Sequence, residues 1–126
     1  MNPSVRDFVT WLSLLLAAPS FAHHSVALYD TDHLTTVKGT VTRIEWTSPH
    51  VFVFFAAPEP GGATAEWSME LDPPVLLRRY GWSKDTVKVG DVINCTGAPA
   101  KSGAKAMRGA IVELPDGTRL RVWSRV

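Results

Sequence analysis

The chain has 126 residues with 13 basic and 12 acidic side chains, a formal charge of +1. That balance excludes a nucleic-acid or anionic-membrane surface built on bulk charge, and an apolar share of 45% is that of an ordinary globular domain. A single cysteine, Cys95, excludes an internal disulfide.

Residues 1–22 have the layout of an export signal. Arg6 lies in the polar lead, offset by Asp7. The apolar core is "FVTWLSLLLAA" at 8–18. Pro19 breaks it, and Ser20-Phe21-Ala22 puts small residues where a signal peptidase reads. The run is too short for a membrane anchor, which needs about 20 apolar residues. Cleavage after Ala22 predicts a periplasmic or secreted protein with no membrane contact. The mature chain would hold roughly 100 residues, the size of one domain, and would begin at His23.

Residues 23–36 are polar and mixed, and predict an N-terminal arm ahead of a barrel domain at 37–126. "VKGTVTRIEW" at 37–46 reads as the first strand. Its apolar positions, Val37, Val41, Ile44 and Trp46, change parity near Thr42-Arg43, which predicts a bulge or sharp coil there. "HVFVFFAA" at 50–57 is the second strand, apolar on both faces. At 65–71 the alternation is clean: Ala65, Trp67, Met69 and Leu71 on one face, Glu66, Ser68 and Glu70 on the other. The period then changes. "LDPPVLLRRYGW" predicts a helix of about two turns, with Asp72 as N-cap and Pro73 at the first helical position. Gly81 suits the left-handed position past its end, and Trp82 can pack back on Leu77. A fourth strand at 91–98 places Cys95 as a small core residue. A fifth strand follows at 106–114, and "PDG" turns into a final strand, "TRLRVW".

Three strands, a short helix, two strands and an added strand make an all-β chain. An open antiparallel sandwich is one arrangement. The kinked first strand and the helix between strands three and four favour the five-stranded OB-fold-like barrel.

All four histidines, His23, His24, His33 and His50, lie before residue 51. If Val51, Val53 and Phe55 point into the barrel, His50, Phe52 and Phe54 point out. Glu66, Ser68 and Glu70 then share that outer face, where OB folds bind ligands. Two outward phenylalanines need a cover. Val26, Leu28 and Tyr29 in the arm can supply one, which would bring His23 and His24 close to His50. After cleavage His23 offers an α-amine and an imidazole from one residue, which together chelate a metal. An imidazole from His50 or His24 completes a T-shaped all-nitrogen site, a donor set that suits copper. His24 allows another mode, through the α-amine, a deprotonated amide and its imidazole. Glu66 or Glu70 would be an outer ligand or would orient a histidine. The plainer alternatives are a solvated histidine tail, a strand-capping His50 and a solvated glutamate face. Arg78, Arg79, Lys84 and Lys88 cluster near the helix among acidic residues and read as soluble surface. No G-x-S-x-G, H-E-x-x-H or phosphate-loop motif is present.

The chain resembles a family of small exported bacterial proteins classed only as a domain of unknown function. The matching segments are "HHS" at 23–25, "GTVTRIEWTSPH" at 39–50, "WSME" at 67–70, "PVLLRRYGW" at 74–82, "VKVGDVI" at 87–93 and the late "DG" hairpin. The resemblance spans the mature chain and implies no activity. It does mark residues. His23, His24, Pro49, His50, Trp67, Glu70, Gly81, Trp82, Gly90 and Asp91 fall on the family motif, and its arginine falls on Arg78 or Arg79. Gly81, Gly90 and Trp82 serve the fold; His23, His24, His50 and Glu70 are harder to explain by fold alone. His33 lies outside the motif.

The expectation is an exported, non-enzymatic OB-like binding protein. Its metal site would hold copper at His23, His24 and His50 with Glu70, in a carrier, buffer or sensor role. Phe52, Phe54, Glu66 and Arg79 would contact a ligand, and no cofactor other than copper is expected. The alternative, of another class, is a metal-free module whose outer aromatic face docks a periplasmic protein or a glycan. An enzyme using histidine-held copper for oxidation ranks last, because a small barrel offers no evident substrate channel. Nucleic acid is not an expected partner.

Overall fold

The computed structural model describes residues 26–125. Its strands are β1 (Thr35–Glu45), β2 (Phe52–Pro58), β3 (Thr64–Glu70), β4 (Val92–Pro99), β5 (Ala106–Glu113) and β6 (Arg119–Arg121), with a short helix, α1 (Pro74–Arg79), between β3 and β4. The sheet runs β3-β2-β1-β4-β5-β6, and β3 also pairs with β5 in parallel. That pairing closes five strands into a barrel and rules out the open sandwich. β6 is bonded outside the ring. Strand order and helix position are those of the OB-like barrel.

Closure depends on β1 serving two neighbours. Thr35 to Thr40 pair with β4, and Thr40 to Glu45 pair with β2. The register slips between Val41 and Arg43, where the apolar parity predicted a bulge. An extra residue there bends the strand and steepens its twist, so one strand can serve both halves of the ring. Gly39 lies at this crossing. A Cβ on it would sit 2.5 Å from Phe55 Cδ2 and 2.7 Å from the Ala56 carbonyl oxygen, so only glycine lets the two strands approach this closely.

Val51, Val53 and Phe55 are buried as their parity predicted, with Met69 and Val112 facing them. Cys95 is buried among them, and burial pushes its thiol up to about 12. Leu77 on α1 and Trp82 just past it join the core cluster. Trp82 donates its backbone N–H to Leu77 O at 3.0 Å and its indole N–H to Arg121 O at 2.8 Å, which ties the helix end to β6. Gly81 has φ +91°, the left-handed turn that lets Trp82 fold back.

The start of α1 differs from expectation. The helix begins at Pro74, Pro73 is its N-cap, and no side chain caps it. Pro73 and Pro74 have no N–H, so a carboxylate at 72 finds few donors there. Asp72 is instead buried against β5 and the C-terminal segment. The second strand also starts later than expected, at Phe52, although Leu71 N–H still bonds Val51 O at 2.8 Å.

Candidate functional site

Glu70 ends β3 opposite Phe52 of β2 on one side and Arg108 of β5 on the other. It therefore sits on the seam where the barrel closes. Its alternation with Glu66 predicted a solvated face. Glu66 is exposed, but Glu70 is only 6% exposed. The N-terminal arm reaches it. Tyr29 bridges Ala100 just past β4, Asp30 N–H bonds Pro99 O at 2.9 Å, and Lys101 N–H bonds Leu28 O at 2.9 Å. These bonds satisfy backbone groups beyond the end of β4 and lay Tyr29 over the seam. Its hydroxyl donates to Glu70 Oε2 at 3.2 Å.

The other oxygen, Oε1, lies 2.9 Å from His50 Nδ1, and the His50 side chain is one-fifth exposed at 20%. Arg108 Nη1 stands 3.8 Å from the same oxygen. Arg108 Nη2 donates to Asp72 Oδ1. Asp72 Oδ2 accepts from the Tyr80 hydroxyl at 3.3 Å and from Ser124 N–H at 3.0 Å. The Arg108 guanidinium also lies 5.6 Å from the centre of the Trp123 ring. Arg108 Nε and Nη1 are buried without a hydrogen-bond partner among the described residues.

Two consequences follow from this geometry. Glu70, Asp72 and Arg108 are all buried, so two carboxylates face one guanidinium. Buried charges of this kind are costly unless they are paired, and His50 stands on the more open side of Glu70, with its side chain 20% exposed. A carboxylate facing Nδ1 also favours the neutral tautomer that keeps its proton there, accepting from Nδ1–H and leaving the lone pair on Nε2, as in ligand histidines backed by a carboxylate. The Tyr29 phenol is pushed up to about 12, first by burial and then by the Glu70 charge. It therefore stays a proton donor through the neutral range.

The other expected site residues stand elsewhere. Phe52 and Phe54 stack on the outer face with centroids 6.2 Å apart. The Arg43 guanidinium lies over Phe54, 3.5 Å from its centroid, while pairing with Glu45. In the arm, Leu28 is 65% exposed, while Tyr29 reaches Glu70, the cross-strand partner of Phe52. The arm backbone bonds to the groups at the end of β4 and just past it. Arg79 is exposed in the last turn of α1, off the β2–β3 face. His33 bonds Asp30 within the arm, Nδ1 to Oδ2 at 3.0 Å, and that bond holds the Asp30 carboxyl below its ordinary value. His23 and His24 lie outside the described residues. Among the described residues no three His, Cys, Asp or Glu side chains group to hold a metal ion.

Sequence reasoning missed Tyr29, Asp72 and Arg108 as parts of one cluster. A signal was present: Arg108 interrupts the apolar strand "AMRGAIVE", and a charge at such a position calls for a buried partner.

The chain belongs to a family of unknown function, DUF6152, whose model matches residues 12–109. The match takes in Tyr29, His50, Glu70, Asp72 and Arg108 and stops before β6. No curated protein and no solved structure matches the chain.

Proposed function

We propose that this small barrel is an exported copper-binding protein, with the ion held between the mature N-terminus and the His50 imidazole. The observation that carries the reading is Glu70 Oε1 at 2.9 Å from His50 Nδ1. It leaves Nε2 as the donor atom of a ring whose orientation is fixed by a buried carboxylate.

The tether supports it too. Tyr29 N–H bonds Val26 O at 3.1 Å, which keeps Val26 close to the residue that touches Glu70. Three residues of extended chain, at about 3.5 Å each, keep His23 within about 10 Å of Val26. The α-amine and imidazole of His23 and the imidazole of His50 make an all-nitrogen set suited to copper, with His24 as a further donor. Glu70 orients His50 in this reading and is not itself a ligand. Carriage, buffering or sensing of copper in the periplasm follows.

The second reading keeps the stacked Phe52 and Phe54, flanked by Glu66, as a docking face for a protein or glycan, with Arg79 as an outlying contact. Arg43 already covers Phe54, which weakens that face's need for a partner. Partner binding untouched by a copper chelator would favour it.

Titration of Cu(II) into protein with a mass-verified His23 terminus, beside His50→Ala, tests the first reading. Binding of one ion, weakened at least about tenfold in the variant, is the expected result. Equal affinity in both proteins would remove His50 from the site.

A further inference from the structure

We propose that the outer face of β1, β4, β5 and β6 is a second binding site, shaped for a short acidic oligosaccharide. It shares no residue with the copper site and does not rest on the copper reading.

The register of four strands builds the face. Lys38 of β1 lies opposite Asn94 of β4, Asn94 opposite Glu113 of β5, and Glu113 opposite Arg119 of β6. Two residues along, Thr36 lies opposite Thr96, Thr96 opposite Ile111, and Ile111 opposite Arg121. Residues two apart on a strand share a face, and Cys95 and Val112, which lie between them, are buried in the core. Two rows of four side chains therefore cross the sheet outside the barrel, each about 14 Å from end to end at three strand spacings. A plain solvated face would expose them all. Asn94, Thr96, Ile111 and Glu113 are instead half-buried, and hollows lie along them. Hollows of about 330 and 260 Å³ meet at Asn94 and Glu113, and another of about 270 Å³ meets the second at Ile111 and Arg119. Joined, they form a trench of the size that holds small ligands.

The chemistry of the trench selects its ligand. Lys38, Arg119 and Arg121 are basic and stand at the ends of the rows, and Glu113 alone is acidic. Glu113 is already matched: it accepts from Asn94 Nδ2 at 3.0 Å and has Arg119 Nε 3.8 Å away. The trench is thus net positive and attracts an anionic ligand. Between the charges lie two threonine hydroxyls, Thr36 and Thr96, bonded to each other at 2.8 Å, with the Asn94 amide and the Ile111 side chain. Hydroxyl and amide groups both donate and accept, as sugar hydroxyls do, and Ile111 offers an apolar surface to the carbons of a sugar ring. An acidic peptide fits less well. β4 is bonded to β1 on one side and to β5 on the other, so the middle of this face has no free strand edge for a peptide to extend.

The test is an amide-shift titration of ¹⁵N-labelled, metal-free protein with trigalacturonate, a trisaccharide of uronic acids, beside neutral maltotriose and triglutamate. Trigalacturonate is expected to shift the amides around Lys38, Asn94 and Glu113, and to bind at least about tenfold more tightly than either control, the worth of a charge-assisted hydrogen bond and of fitted hydroxyls. Arg119→Ala, which removes an exposed guanidinium, is expected to raise its dissociation constant at least about tenfold, and Asn94→Ala at least about threefold. Glu66→Ala, on the β2–β3 face, is expected to leave it unchanged. The amide spectra themselves show that each variant is folded. No shift with millimolar trigalacturonate overturns the proposal, as do shifts confined to another face or an unchanged constant in either trench variant. Equal binding of triglutamate would mean attraction of bare negative charge and would overturn the saccharide assignment. No metal is present, so each of these results leaves the copper reading where it stands.

Discussion

Arg108 holds a guanidinium at 4% exposure between the carboxylates of Asp72 and Glu70. Truncating one partner of a buried ion pair leaves the other charge without compensation and costs about 3–5 kcal/mol. Arg108→Ala should therefore lower the unfolding free energy by about that amount in a urea melt; a loss under about 1 kcal/mol would mean that the carboxylates are relieved by other means. Tyr29 predicts a pH dependence. Its phenol is raised from 10.0 to about 12 in the folded protein, so folding favours the neutral form. That contribution is fully present below pH 10 and is lost as pH rises toward 12. The melting-temperature difference between wild type and Tyr29→Phe should shrink across that interval. Residue parity was readable for Val51, Val53 and Phe55, because alternation is a local property of a strand. The burial of Glu70 was not. It involves partners distant in the chain, Arg108 on β5 and Tyr29, which itself bridges Ala100 about 70 positions away.

Among the elements, β1 carries the architecture. Its parity change exposed the bulge in the sequence, since a slip of one residue moves every later side chain to the other face. Gly39, by contrast, looked like an ordinary strand residue. Its role needs the closeness of Phe55 and Ala56, which no local pattern encodes. Gly39→Ala places a methyl group 2.5 Å from Phe55 Cδ2 and 2.7 Å from the Ala56 carbonyl oxygen. Strain of that kind in a packed core costs about 1–3 kcal/mol, and a denaturant melt should show it; a neutral result would mean that β1 and β2 separate without loss. Asp72 marks the opposite kind of error. An aspartate before a helical run commonly caps it, but the two prolines that follow remove the donors a cap would satisfy. The residue is then available to pair with Arg108 across the seam.

For the whole molecule, the closing pair β3–β5 joins what the chain order keeps apart. It puts Glu70 beside Arg108, and the arm and the C-terminal segment then roof the seam through Tyr29 and Trp123. The OB-like barrel was legible from element order and from the helix position, and the β2–β3 face as a place for His50 was legible from parity. The seam as a buried charge cluster was not, because it exists only once the ring closes. The copper reading joins this seam to the terminus that cleavage after Ala22 would create. The most direct measurement is calorimetric titration of Cu(II) into protein beginning at His23, beside the same protein with one glycine added ahead of it. The account predicts tight binding of one ion that weakens strongly in the extended form, because the extension removes the α-amine from its chelate with the His23 imidazole. Equal binding in the two proteins would contradict it.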